Sequence, residues 1–254
     1  MSSIEFVDLA TARASRGVRI VVSGFVPSPW SEAVKGLFRV QDVPVLAVRA
    51  SRDAELASWT HAQNVPSVFH DDEPPRTVWS QILALAVRLG APGGLLPVDL
   101  EQRAATVGMI HEIAGEDGLG WNQRLLMLDA SFTTDGARGF ALPIAQYLAP
   151  KYGYAADRIA GARARIVDVL LALRKKLGSS EYFDGTRPGA LDIYCATFLT
   201  PLTIITDTDC PALSPALRQA FATAAEALGP DVPAELLAHR KRMFESHLAW
   251  PIQL

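Results

Sequence analysis

The chain has 254 residues, 49% of them apolar and 20% charged, which is typical of a folded protein with one large or two small domains. Its formal net charge of −3 and the lack of a long apolar segment argue against binding to nucleic acid or insertion into a membrane. The N-terminus lacks a signal-peptide pattern and Cys195 and Cys210 are far apart, so we expect a cytoplasmic protein without a disulfide framework or a metal site.

Strand and helix patterns alternate in the first part of the chain. Apolar β-like runs predict strands at residues 18–23, 43–49, 65–69 and, more briefly, 76–78. Amphipathic patterns predict helices at residues 28–40, 53–63 and 78–89. This order, β-α-β-α-β-β-α, predicts a small α/β layer with a mixed sheet. No element is predicted for residues 1–17.

The strand signal ends at a segment rich in Gly and Pro, residues 90–98, which we interpret as a linker. Helices are predicted after it at residues 99–115, 159–177, 190–199, 214–228 and 233–248. We therefore expect an α/β domain at 1–89 and an all-helical domain at 99–254.

Ser28 and Pro29 stand where the first predicted strand leads into a helix. A serine at this position caps the helix by accepting a hydrogen bond from a backbone N–H, and proline suits the first helical position. The serine hydroxyl can also donate its own proton to an anion at the positive end of the helix dipole. A thiolate is such an anion, and a donor of this kind lowers a thiol pKa. Local sequence leaves both interpretations open.

Two further features favour a binding site. Pro66 interrupts the start of a predicted strand, and a cis bond before it would turn the backbone groups of Val65 outwards, towards an extended peptide. Ser80 lies near the start of an apolar helix, where its hydroxyl and the unpaired N–H groups suit a carboxylate.

These motifs resemble the glutathione S-transferase superfamily from residue 18 onwards. Residues 28–35 (SPWSEAVK) match its serine-type first-helix motif, 65–68 (VPSV) its Val-Pro pair, 95–104 its linker, and 182–193 the segment that opens its buried central helix. The resemblance implies a thioredoxin-like N-terminal domain that binds glutathione and an all-α C-terminal domain. It also implies a homodimer, a small apolar electrophile as second substrate, and no metal.

The resemblance also assigns roles to residues. Ser28 is the catalytic residue, which donates a hydrogen bond to the glutathione thiolate. The predicted glutathione contacts are Asn64, Val65, Pro66, Trp79 and Ser80. The predicted second-substrate pocket contains Trp30, His111 and Trp121. Packing in the core is an alternative role for the two tryptophans, and His111 with Glu112 also fits an exposed helix face.

Three positions lack the charge that is common in the family: Trp79 replaces an acidic residue, Asn64 a basic one and Gln41 a lysine. Each lost charge-assisted hydrogen bond removes about 1.5–3 kcal/mol from binding. The alternative function is therefore a non-catalytic ligand-binding or protein-interaction module with the same fold. A reductase or isomerase of the superfamily is a further alternative.

Asp192 is assigned to folding. With Gly189 as the N-cap of the buried helix, Asp192 is its third residue and can accept a hydrogen bond from the Gly189 N–H. Asp192→Ala should then lower stability by about 1 kcal/mol.

Overall fold

The structure, a computed structural model, describes residues 4–51, 54–61 and 65–254. A four-stranded sheet of order β1-β3-β2-β4 forms the N-terminal part. Its strands are β1 Ile4–Phe6, β2 Val18–Val22, β3 Val45–Arg49 and β4 Ser67–His70. Strands β1 and β2 run parallel to β3, and β4 runs antiparallel to β2, so the sheet is mixed, as predicted.

Helices connect these strands: α1 Leu9–Ala14, α2 Pro29–Val40, α3 Ala54–Thr60 and α4 Trp79–Leu89. The predicted strand at 76–78 is wrong, since only a single bridge between Arg76 and Val68 is present there. Strand β1 and helix α1 were not predicted. Together they add a parallel strand to the edge of β3, and the Asp8 side chain caps α1 by accepting from the Thr11 N–H.

Residues 99–254, all of them described, contain helices and no strand. The helices are α5 Leu100–Ala114, α6 Leu119–Thr133, α7 Leu142–Tyr152, α8 Ile159–Leu177, α9 Ala190–Leu199, α10 Pro215–Leu228 and α11 Ala234–Ser246. In the described part of the chain, no helix has the length and apolarity needed to cross a membrane. The α/β part is therefore followed by an all-α part, as the sequence predicts; the exact domain boundaries stay a prediction.

Helix α9 lies at the centre of the molecule, with every residue buried. It approaches α2 so closely that a Cβ atom added to Gly36 would lie only 2.7 Å from Ile193 Cγ2. Leu37 and Phe38 of α2 belong to the same hydrophobic cluster as Ile193. This contact holds α2 against the helical part.

The buried carboxylate of Asp192 holds the start of α9. The Gly189 N–H donates to its Oδ2 at 2.8 Å and the Phe183 N–H to its Oδ1 at 3.1 Å. His239 Nε2 lies 3.3 Å from the same Oδ1. The predicted cap is confirmed; since glycine has no side chain, only the Asp192 half of a capping box exists.

Candidate functional site

A cavity of about 320 Å³ lies between the α/β part and the helical part. Most of the predicted site residues line it: Ser28, Trp30, Val65, Pro66, Trp79, His111 and Trp121. Ser80 is exposed one position beyond Trp79 and is absent from the lining. The predicted contact Asn64 lies outside the described residues.

Ser28 is the N-cap residue of α2, but its side chain does not make the capping hydrogen bond. Its backbone carbonyl accepts from the Glu32 N–H at 2.9 Å, which starts the helix, and Pro29 occupies the first helical position. No described residue forms a hydrogen bond with the Ser28 hydroxyl. Ser28 therefore lines the cavity at the positive end of a helix, and its hydroxyl proton is not used by any described residue.

The Val65–Pro66 peptide bond is cis, as the resemblance implied. Pro66 is buried just before β4, and Val65 is half-buried in the cavity wall. In the described part of the chain, neither the N–H nor the C=O of Val65 has a hydrogen-bond partner. This backbone can accordingly pair with an extended peptide.

Trp79 opens α4 and lines the cavity wall. Its ring lies 6.1 Å from the ring of Tyr194 and 6.1 Å from that of His111. No side chain caps α4, since Val78 precedes it. The first N–H groups of this helix are thus available to an anionic group.

Trp30 and Trp121 combine the two roles that the sequence left open. Trp30 Nε1 donates to the Ala114 carbonyl at 3.0 Å, and Trp121 Nε1 donates to the Tyr152 carbonyl at 3.0 Å. Both indoles pack against the core and both are half-buried at the cavity. They are therefore fixed walls of the pocket.

His111 is exposed at the rim of the cavity. Its neighbour Glu112 forms an ion pair with Arg165 instead of a pair with His111. The two residues consequently do not act as one polar unit.

Two side chains that could supply a polar or charged anchor, Gln41 and Arg76, lie against other parts of the chain. Gln41 packs against the linker, because a Cβ atom on Gly90 would lie 2.2 Å from its Cδ. Arg76 forms an ion pair with Glu73. Hydrogen bonds, first of all from Arg88, lower the pKa of Glu73 to about 2. Neither Gln41 nor Arg76 lines the cavity.

The sequence did not single out three further lining residues: Lys151, Tyr152 and Tyr194. The Tyr194 side chain is buried, and its hydroxyl has no hydrogen-bond partner among the described residues. Burial raises the pKa of this hydroxyl, which keeps it protonated and able to donate. Because α9 is apolar on all sides, the sequence gives no sign of which residue faces a cavity.

No family model and no curated protein matches the chain. Solved structures do. A glutathione transferase family member from Pseudomonas fluorescens, solved with two glutathione bound, has a TM-score of 0.61 at 17% identity, covering 91% of this chain and 89% of that one. A glutathione transferase from Pseudomonas putida, solved with one glutathione disulfide per subunit, has a TM-score of 0.61 at 15% identity, covering 94% and 95%.

Human glutathione-S-transferase T1-1 in its apo form is similar as well, with a TM-score of 0.53 at 16% identity, covering 93% of this chain and 100% of that one. These bacterial and human structures thus resemble this chain in fold over nearly its full length. The chain therefore has the fold of the glutathione transferases.

Proposed function

We propose that the protein is a glutathione transferase in which Ser28 stabilises the thiolate of bound glutathione for attack on an apolar electrophile. The observation that carries the proposal is the Ser28 hydroxyl, which has no partner among the described residues and lies at the start of α2. It lines one cavity together with Val65 and Pro66. Glutathione in the solved relatives supports this choice of ligand.

The chemistry follows from these positions. The Ser28 O–H donates to the sulfur, and the positive end of α2 favours its negative charge, so the thiol pKa falls from about 8.5 towards neutrality. The Val65 backbone pairs with the cysteinyl unit, and the N–H groups at the start of α4, with Ser80, receive a carboxylate. The thiol proton passes to solvent, and the bound thiolate is held next to the electrophile.

We expect weak binding of glutathione. Trp79 stands in the wall at the position of the family's acidic residue, and Gln41 and Arg76 do not line the cavity. The loss of two or three charge-assisted hydrogen bonds at about 1.5–3 kcal/mol each weakens binding by orders of magnitude. A homodimer is part of the proposal through the same resemblance, and its mass in solution tests it.

Ser28→Ala should lower kcat/KM for conjugation of a chlorodinitrobenzene by about 10- to 100-fold, because a charge-assisted hydrogen bond to sulfur is lost. The control is Ser179→Ala, which removes an exposed hydroxyl outside the cavity and should leave kcat/KM unchanged. Equal rates for wild type and Ser28→Ala would remove Ser28 from the mechanism.

Calorimetric titration with glutathione, together with the conjugation assay, distinguishes the transferase from the non-catalytic module. Glutathione binding without conjugation of any electrophile would favour the ligand-binding module. If millimolar glutathione produced neither heat nor a change in tryptophan fluorescence, the proposed function would be wrong.

A further inference from the structure

We propose that the second substrate is an aromatic electrophile that carries an anionic group, a carboxylate or sulfonate, and that Lys151 binds this group. The inference rests on the proposed glutathione transferase function and specifies the substrate class of the same cavity. Three observations carry it: the aromatic walls, a lysine beside them that has no ion-pair partner, and a buried hydroxyl without a partner.

Aromatic side chains form much of the cavity wall: Trp30, Trp79, Trp121, Tyr152 and Tyr194. Several are held at fixed angles. The Trp30 ring meets Phe198 edge-on at 4.8 Å, and the Trp121 ring meets Tyr152 at 5.0 Å. Rigid aromatic walls favour a flat aromatic ligand, which can stack on one ring and meet another edge-on.

Lys151, in the last turn of α7, lines this aromatic cavity. Its Nζ lies 5.4 Å from the centre of the Tyr152 ring. No acidic side chain among the described residues forms an ion pair with it. The lysines Lys35 and Lys176, by contrast, pair with Glu32 and Asp184.

A second cation, Arg124, lies near enough to Lys151 to affect its pKa. Arg124 is buried, donates to Met127 Sδ at 3.3 Å and stacks near the rings of Phe140 and Phe221. In the described part of the chain it, too, has no carboxylate partner. Lys151 is exposed to solvent on one side. Partial desolvation, and next the charge of Arg124, lower its pKa. An anion bound at Lys151 would offset this uncompensated positive charge.

Besides Lys151 and the tyrosines, the titratable groups in the lining are Glu116 and His111. Glu116 is exposed and also lines a second cavity, which contains Arg158 and Arg165, so it has cations on its other side. His111 is exposed at the rim. Neither forms an ion pair with Lys151.

Tyr194 is an independent sign of a polar ligand group. It is 1% exposed and belongs to the lining of the same cavity, and its hydroxyl is buried without a partner among the described residues. A buried hydroxyl without a partner costs free energy, so it indicates an acceptor supplied by a ligand. Nitro or carboxylate oxygens on an aromatic ring are acceptors of this kind.

A chlorodinitrobenzoate with chlorine para to the carboxylate is a suitable probe. The glutathione sulfur forms a bond to the ring carbon that carries chlorine, and the C–Cl bond breaks. Chloride leaves with the bonding electron pair, and the thiol proton goes to solvent. The step is a substitution and needs no oxidant or reductant.

The test compares the chlorodinitrobenzoate with its uncharged methyl ester, each rate divided by the uncatalysed rate. We expect wild type to prefer the carboxylate, and Lys151→Gln to lower the carboxylate-to-ester ratio of kcat/KM by about tenfold or more. Lys151→Arg should keep most of the ratio, since it keeps the charge. Lys175→Gln, an exposed lysine of α8 outside the lining, is the matched control and should leave the ratio unchanged.

An equal ratio in wild type and Lys151→Gln would overturn the inference and leave the proposed function standing. If wild type conjugates neither compound, the proposed function fails instead. The inference is then tested by binding alone, with dinitrobenzoate and its methyl ester as unreactive ligands and tryptophan fluorescence as the readout. A preference for the carboxylate that is lost in Lys151→Gln would support it, and equal affinities would overturn it.

Discussion

Ser28 and Tyr194 are two hydroxyl-bearing side chains at the same cavity, and no described residue forms a hydrogen bond with either hydroxyl. Their costs differ. Ser28 is half-buried, so water can satisfy its hydroxyl, whereas Tyr194 is fully buried. A buried polar atom without a partner lowers the free energy of unfolding by about 1–3 kcal/mol. Such atoms often have a role in binding or catalysis. The free energy lost at Tyr194 is recovered when a ligand accepts a hydrogen bond from this hydroxyl.

Tyr194→Phe should therefore raise the free energy of unfolding by about 1 kcal/mol while weakening the binding of nitroaromatic ligands. The matched control is Tyr154→Phe, whose hydroxyl donates to Asp129 Oδ1 at 3.0 Å and whose loss should lower stability by about 1 kcal/mol. Urea denaturation measures both. A loss of stability in Tyr194→Phe would show that the hydroxyl has a structural partner.

Single residues were predictable from the sequence where a local motif marks them. Ser28 and Pro66 stand at the ends of recognisable elements, and the structure places both at the cavity; their roles stay predictions. No local sequence motif identifies Lys151 or Tyr194, because only tertiary packing brings them to the same cavity.

At the scale of elements, the start of α9 depends on a buried acid and a buried base. Burial raises the pKa of Asp192 to about 7, against 3.8 for an exposed carboxyl. Burial, and next the charge of Arg242, lower the pKa of His239 to about 4, against 6.5. Two backbone N–H groups depend on the carboxylate, so Asp192→Ala should cost about 3 kcal/mol, more than a simple cap.

The two shifts have opposite effects on stability. Between pH 3.8 and about 7 the folded Asp192 holds a proton that the unfolded chain has released, so its contribution is lost as pH rises. Between about pH 4 and 6.5 the unfolded His239 binds a proton that the folded one does not, so stability is lost as pH falls. In the wild type these slopes oppose each other.

Single variants should separate the slopes. In His239→Leu the free energy of unfolding should fall as pH rises from about 4 to about 7, and in Asp192→Asn it should rise from about pH 4 to 6.5. Each slope has an upper bound of about 1.4 kcal/mol per pH unit. Denaturant titrations at several pH values measure them, and slopes of the same sign in both variants would contradict the assignment.

Each element that the sequence failed to predict was missed for a physical reason. Helix α6 buries polar side chains, including Asn122 and Gln123, so it lacks one apolar face. Helix α7 contains Pro143 and Pro150, and prolines in a sequence usually indicate the end of a helix. Strand β1 has only three residues and owes its conformation to pairing with β3. In contrast, β2 and α2 follow regular apolar patterns and were predicted to within one residue.

For the whole molecule, the close contact of α2 with α9 at Gly36 joins the α/β part to the helical part. A Cβ atom there would lie 2.7 Å from Ile193 Cγ2 and 2.8 Å from Leu248 Cδ2. Residues near the end of the chain also bind the α/β part, since Lys35 Nζ donates to the Gln253 carbonyl at 2.7 Å and Arg49 Nε donates to the Leu254 carbonyl at 2.7 Å. The sequence predicted an α/β domain and an all-helical domain. It could not predict this contact between them, which depends on tertiary structure.

Gly36→Ala should lower the free energy of unfolding by about 1–3 kcal/mol, because the added methyl group overpacks this contact. Gly108→Ala is the control. Gly108 is exposed within α5, with no atom within 4 Å of an added Cβ, so the change should raise stability by about 0.5–1 kcal/mol. Thermal unfolding measures both, and an unchanged stability in Gly36→Ala would mean that the two helices are not in close contact.

The most direct test is an ultraviolet titration of the thiolate of glutathione bound at saturation, in wild type and in Ser28→Ala. We predict that the bound thiol ionises well below the ordinary thiol pKa of about 8.5 in wild type, and that its pKa returns towards that value in Ser28→Ala. A bound thiol that titrates like free glutathione in the wild-type protein would contradict the proposed role of Ser28 and of this cavity.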